Sequence, residues 1–178
     1  MSARQPVPAL RSQLPAVAVL TQLAYAELAS AFPSPFWQRY SASVEQTILT
    51  ESAGSEVWVL SNDAGTIQAS VLFVHAGARI DKTDGTALVL NDPEMRLLAV
   101  GPAYRQQGLG ERLTQHCLQR AHELGSARLT LHSIAPMQAA QRLYWRLGFE
   151  RDAALDFCPH PDVHVLGYYK RTAANQAD

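Results

Sequence analysis

Apolar positions along this chain follow a helical period in some stretches and a strand period in others. In "PAVAVLTQLAYAELASAF", Val17, Leu20, Leu23, Ala24 and Leu28 recur at helical spacing, which predicts a first amphipathic helix behind a short extended lead, residues 6–10. Pro33 and Pro35 break that helix in "FPSPFWQRY", and a second, weaker helix is expected over 43–52. "EVWVLSN" and "GTIQASVLFVHAG" read as strands, 56–60 and 66–75, joined as a hairpin through Asn62, Asp63 and Gly65. "ARIDKTDGTALVLNDP" reads as a polar loop leading to a third strand, "EMRLLAV". That strand is apolar on both faces apart from Arg96, the pattern of a central strand covered on both sides.

The second half alternates helix and strand. A helix over 108–124 carries Leu109, Leu113, Cys117, Ala121 and Leu124 on one stripe and ends at Gly125. "ARLTLHS" is a strand, "PMQAAQRLYWRLG" a helix opened by Pro136 and closed by Gly148, and "VHVLGYYKR" a last strand before a polar tail, 172–178. This alternation predicts an α/β class with a mixed sheet, and 178 residues suit a single domain with one sizeable core.

The helix start at 108 is unusual. Such starts commonly carry Ser, Thr, Asp or Asn to satisfy the first backbone N–H groups, and this one offers Gln106, Gln107 and Gly108. Free N–H groups and the positive end of the helix dipole favour an anion, glycines at 108 and 110 give a phosphate clearance, and Arg105 adds a cation. A dinucleotide turn of the G-x-G-x-x-G type needs a third glycine where Leu113 stands, and a Walker-type loop needs a Gly-Lys-Ser/Thr ending that is absent. The pattern R/Q-x-x-G-x-G/A is matched in full by "RQQGLG". A tight strand-to-helix turn that binds nothing is the plain alternative.

Charge and composition narrow the partners. A formal charge of −1 argues against nucleic acid or an acidic membrane as a bulk electrostatic partner. Cys117 and Cys158 have no metal-like spacing, and His160 and His164 near Cys158 lack a second ligand pair, so no metal is expected. With no signal-like apolar run and no stretch near the length of a membrane span, the expected location is cytoplasmic.

Beyond the loop lies "AAQRLYWRLGFE", an A-x-x-L-Y-x-x-x-G-F signature. Together with "LAVGPAYRQQGLG" it resembles the GCN5-related N-acetyltransferase (GNAT) family over about residues 56–169, closest in 94–149 and weak before residue 50. The resemblance implies a mixed, mostly antiparallel central sheet with helices on both faces, whose splayed central strands hold acetyl-CoA. It assigns the pyrophosphate to the amides of Gln106, Gln107, Gly108, Leu109 and Gly110, beside Arg105, and the pantetheine arm to the backbone of Leu98, Ala99 and Val100. The Leu98 amide becomes the donor that polarises the thioester carbonyl, and Tyr144 the acid that protonates the departing thiolate. Many members carry Asn where this chain has Met137, which shares a stripe with Ala140, Tyr144 and Leu147 and is expected to pack.

Acetyl transfer to an amine needs a neutral nitrogen, hence a general base, and direct attack needs no enzyme nucleophile. Glu94 is the first choice, resembling the strand glutamate of histone-type members, with an exposed carboxylate at a strand start as its plain alternative; His132 and Asp156 are reserves. Cys117 is expected to be inert packing, while Arg142 and Arg146 suit either the adenosine phosphates or solvent. Phe36, Trp37, Tyr40, Phe157, Tyr168 and Tyr169 would line a modest pocket for a small-molecule amine or amino-acid derivative, and equally suit core or a homodimer contact. A protein N-terminus or lysine stays open as acceptor. So does a non-catalytic acyl-CoA sensor of the same fold; a nucleotide-binding regulator is disfavoured by the glycine spacing.

Overall fold

A computed structural model describes residues 5–50, 54–82 and 85–172. The chain runs from β1 (Val7–Pro8) through a 3-10 turn (Arg11–Gln13), α1 (Leu14–Tyr25) and a second 3-10 stretch (Ala26–Ala31) to α2 (Ser34–Thr50). Next come β2 (Ser55–Ser61), β3 (Ile67–Val74), β4 (Arg79–Asp81), β5 (Ala87–Val89) and β6 (Glu94–Val100). A turn at Pro102–Tyr104 leads to α3 (Leu109–Glu123), β7 (Arg128–Ser133) and α4 (Gln138–Arg146). β8 (Glu150–Arg151), a turn at Ala153–Leu155, β9 (Phe157–His160) and β10 (Val163–Arg171) follow.

Several expectations are corrected. The second helix starts at Ser34, not 43, because Pro35 sits in its first turn, where a missing N–H costs nothing; positions 51 and 52 lie outside the described residues. The polar loop holds the β4–β5 hairpin, whose three-residue strands show too little apolar alternation to read. Leu23 and Leu124 fall off their stripes, at 59% and 44% exposure, while Leu109, Leu113, Cys117 and Ala121 are buried. Thr172 is anchored rather than part of a loose tail: it is buried, with its N–H on the Ala127 carbonyl and its Oγ1 on the Ser126 carbonyl. The rest of the expected tail, 173–178, lies outside the described residues. The run Arg11–Ala31 is, by length and composition, apolar enough to cross a membrane, contrary to the sequence reading. Its α-helical part is 12 residues, against roughly 20 for a bilayer, and Leu14, Val17 and Leu20 are buried in the fold.

The described elements form two compact units. The first comprises Met1–Phe73 and Leu97–His116. In it β1, β2 and β3 lie in order, with the second half of β6 beside β3. Val7 opposes Val59, and the Gly101 N–H donates to the Gln68 carbonyl at 2.9 Å. The Asn62 side chain closes the β2–β3 turn by accepting from the N–H groups of Ala64 and Thr66. Leu20 and Ala24 of α1 pack on Ala99 of β6, with Tyr25 and Ile67 against them.

The second unit comprises Val74–Arg96 and Cys117–Asp178. There the first half of β6 pairs in parallel with β7, Glu94 opposite Thr130 and Met95 opposite Leu131. β10 runs antiparallel to β7, from Leu166 opposite Ser133 to Arg171 opposite Arg128, and β8 and β9 pair antiparallel to β10. The described pairings are thus mostly antiparallel with one parallel pair, the mixed α/β class read from the sequence.

Gly167 on β10 is where this unit tolerates no side chain. A Cβ there would overlap that of Leu155 and stand 3.0 Å from the Asp152 carbonyl oxygen, so backbone would have to move. Gly167→Ala should destabilise the fold by about 1–3 kcal/mol, the usual cost of forcing extra volume into packed structure. A urea midpoint equal to wild type would contradict this packing.

Candidate active site

The loop that leaves β6 is held in unusual backbone geometry. A Cβ on Gly101 would stand 3.0 Å from Tyr104 Cδ2 and 3.1 Å from Leu20 Cδ1, so the strand exit lies tight on α1. Beyond it Gln106 has φ 62° and Gly108 φ 73°. Leu97, in the middle of β6, has φ 50°. Among the described residues Leu97 and Gln106 are the two non-glycines with positive φ. Each such conformation costs about 1–2 kcal/mol and persists only where its surroundings hold it. Gln106 falls in the loop read as pyrophosphate-binding, and Leu97 directly precedes Leu98, the first residue read as meeting the coenzyme.

Gly108 directly precedes α3, and nothing lies within 4 Å of where its Cβ would be. The first amides of α3 therefore carry no steric cover from this residue, as a phosphate cradle requires. Arg105 is placed differently from its expected station at the mouth. Its guanidinium forks onto Glu27 at 2.9 and 3.2 Å and onto the Ala24 carbonyl at 3.2 Å, bracing the loop on the end of α1. Tyr25 donates its hydroxyl to the Leu98 carbonyl at 3.3 Å, fixing β6 just past its kink; Ala99 is buried, and Leu98 and Val100 are half-buried.

Tyr144 lies in the second unit, on α4. It is 6% exposed, its ring is tilted against Phe149 at 5.8 Å, and burial, helped by Cys117, pushes its phenol up from the ordinary value. Met137 precedes α4 as its half-buried N-cap, with φ −79° and ψ 51°, instead of sharing the helical stripe of Tyr144. Its side chain caps nothing; the local side-chain bond comes from Gln141 Nε2 to the Ile134 carbonyl at 2.7 Å. Arg142 and Arg146 are exposed.

The three candidate bases, read as separate alternatives, form one linked cluster in this unit. Glu94 is 2% exposed, so the exposed-carboxylate alternative fails. Its Oε2 accepts from Arg96 at 2.8 Å, and its Oε1 lies 2.7 Å from His132 Nδ1. His132 Nε2 is 2.8 Å from the Leu155 carbonyl oxygen, which can only accept, so Nε2 carries a hydrogen. Next to Leu155, Asp156 accepts from Arg151 at 2.9 and 2.8 Å and from the Gly167 N–H at 2.8 Å. Burial opposes ionisation of Glu94, but the bond from His132 and the Arg96 guanidinium outweigh it and hold the carboxyl below its ordinary value. Asp156 is lowered in the same way, burial being overcome by Arg151 and the Gly167 amide.

The expected aromatic lining divides. Phe36, Trp37 and Tyr40 cluster with Phe32, at ring distances of 5.3 to 6.1 Å in the first unit. In the second, Phe157 meets His132 edge-on at 5.1 Å. Tyr168 and Tyr169, on opposite faces of β10, lie under the guanidinium groups of Arg151 and Arg128. Cys158 Sγ lies 3.3 Å from His164 Nδ1, and among the described residues no group of three His, Cys, Asp or Glu side chains is arranged to hold a metal. Sequence reasoning passed over Arg96, although its i, i+2 spacing from Glu94 puts both on one face of β6. Tyr25 and Glu27 carry no local signal, since their partners lie more than 70 residues away.

The family model described as "Acetyltransferase (GNAT) family" matches residues 22–149. The chain belongs to the GNAT family. Curated relatives include the [ribosomal protein bS18]-alanine N-acetyltransferases of Escherichia coli and Shigella flexneri, each 39% identical over 64 residues. That match covers 36% of this chain and spans less than half, 43%, of those relatives. Among solved GNAT structures, the ribosomal-protein-S18-alanine N-acetyltransferase of Escherichia coli superposes with TM-score 0.66 at 23% identity, over 94% of this chain and 93% of that one. A PaiA N-acetyltransferase from Thermoplasma acidophilum, in complex with coenzyme A, gives 0.67 at 9% identity over 92% and 96%. At these identities the likeness shows the GNAT fold.

The Glu94 cluster should make this GNAT chain acid-sensitive. Because the folded carboxyl lies below its ordinary value of 4.5, the unfolded chain binds the proton first as pH falls. The stabilisation is full above that value and is lost as pH drops through the folded one. At neutral pH Glu94→Gln should cost about 1–3 kcal/mol, since Arg96 and His132 lose the charged acceptor they share. Its urea midpoint should also fall less steeply than wild type on acidification. Equal acid slopes for the two proteins would show that the cluster does not set this response.

Proposed function

We propose that this GNAT chain moves the acetyl group of acetyl-CoA onto a primary amine, of a small molecule or amino-acid derivative, by direct attack. The carrying observation is Tyr144, which the A-x-x-L-Y signature reads as the acid and which the fold buries on α4 with its ring against Phe149. A module that only bound the coenzyme would have no use for such an acid. The family's use of acetyl-CoA and the coenzyme A complex of a structural neighbour support the donor. The open space at Gly108 supports the loop as its phosphate site.

In this reading the amides of Gln106 to Gly110 and the start of α3 take the pyrophosphate, while Arg105 keeps the loop in place through Glu27. The backbone of Leu98, Ala99 and Val100 takes the pantetheine arm, with the Leu98 amide donating to the developing oxyanion. An N–C bond forms and the C–S bond breaks. Glu94 accepts the proton shed by nitrogen, and Tyr144 gives its proton to the thiolate. The curated relatives are named for acetylating an alanine of a ribosomal protein, so a peptide N-terminus belongs among the acceptors to be tried.

The test is release of free thiol from acetyl-CoA across a panel of amines. Thiol that appears only with an amine supports the reading. Coenzyme binding by calorimetry without thiol release on any amine would make the chain an acyl-CoA sensor instead. Tyr144→Phe should bind coenzyme as wild type while kcat falls by roughly 10². Gly110→Glu should abolish binding by bulk and like charge, and unchanged affinity there would refute the loop's assignment.

A further inference from the structure

The β9–β10 hairpin carries a thiol and an imidazole that the transferase reading does not use. Val163 opposes His160 and Val165 opposes Phe157. Between those pairs β9 has two residues, Cys158 and Pro159, against His164 alone on β10. That count is a β-bulge, and Pro159, with no N–H to give to a ladder, is a residue that bulges accommodate. A bulge re-aims the side chains beside it, and this one sets Cys158 Sγ 3.3 Å from His164 Nδ1. Cys158 is half-buried and His164 exposed, so the pair meets solvent, whereas the other cysteine, Cys117, is buried. A thiol within hydrogen-bond reach of an imidazole has a proton acceptor in place for attack by its sulfur.

We propose that Cys158 is a site of thiol–disulfide exchange, in which His164 takes the thiol proton and a low-molecular-weight disulfide is the co-reactant. The Cys158 sulfur attacks one sulfur of that disulfide as its proton passes to His164 Nδ1. A new S–S bond forms, the old one breaks, and the leaving thiolate collects the proton from His164. One thiol is consumed and one released, so the electrons balance with no further oxidant. None of these steps needs coenzyme or amine. The hairpin's other titratable groups, His160 and Asp162, lie at its turn, where the Asp162 N–H donates to His160 Nδ1 at 3.3 Å. The adduct takes the thiol proton out of the contact that crosses the bulge, one residue from Phe157, whose ring meets His132 edge-on at 5.1 Å.

The native protein is incubated with bis(2-hydroxyethyl) disulfide, and the adduct is located by peptide mass spectrometry. Adduct should form at Cys158 and not at buried Cys117. An ordinary cysteine of pKa about 8.5 is about 3% thiolate at neutral pH, so an acceptor for its proton can speed exchange by at most about 30-fold. His164→Ala should therefore slow adduct formation by roughly tenfold at neutral pH. His164 is exposed, so its truncation leaves the core intact. The two proteins should converge at about pH 10, where a cysteine sheds its proton unaided. A change in access alone would persist at every pH. Native protein that forms no adduct at Cys158 overturns the proposal. So do equal rates for the two proteins at neutral pH, and so does a difference that survives at about pH 10. A second comparison needs no variant: at neutral pH Cys158 should react faster in the native chain than in the urea-unfolded one, and a native rate no faster would equally overturn the assignment.

Discussion

One backbone constraint organises the molecule: β6 cannot remain a regular strand through Leu97. A leucine at φ 50° turns the chain out of extended geometry, so the ladder that joins Glu94 and Met95 to β7 cannot continue in register. The residues before the kink belong to one compact unit and those from Leu97 onward to the other. On one side, Glu94 and Arg96 are committed to a buried charge cluster. On the other, Ala99 is committed to packing on α1, and the Leu98 carbonyl to Tyr25. A seven-residue strand thus serves two chemistries because its middle residue is strained.

How much of this was legible depended on range. β10 was read at its full extent, 163–171, and α3 within one residue of each end, because both carry long apolar patterns. The loop before α3 was legible as a turn, because its glycines have a local cause: Gly108 takes a positive φ directly before the helix. β4, β5, β8 and β9 were not, being two to four residues long, with no room for a period to show. Met137 was misplaced because the helical stripe extends past the residue where hydrogen bonding begins. The site divides likewise. Glu94, His132 and Asp156 were each found by residue type, but that they touch one chain of bonds follows from β6–β7 pairing and from the turn at Leu155. No spacing rule records that.

Electrostatics in the two units follows burial rather than residue count. The near-neutral chain buries a carboxylate at Glu94, where its removal from water is offset by the Arg96 guanidinium and the bond to His132. Tyr144 shows the opposite solution: its burial is tolerated because the group stays neutral, and the same desolvation keeps its proton in place.

The brace between Arg105 and Glu27 has a consequence for sequence variation. With side chains 41% and 62% exposed, the pair is worth only about 0.2–1 kcal/mol in stability, so selection for folding would hardly notice its loss. Its effect is positional, since it ties the loop to a segment 78 residues earlier. A chain that drifts to lysine at 27 keeps the tie only if position 105 also reverses sign. The two sites are therefore expected to be inherited as a pair, a long-range covariation that marks the loop without touching any of its glycines.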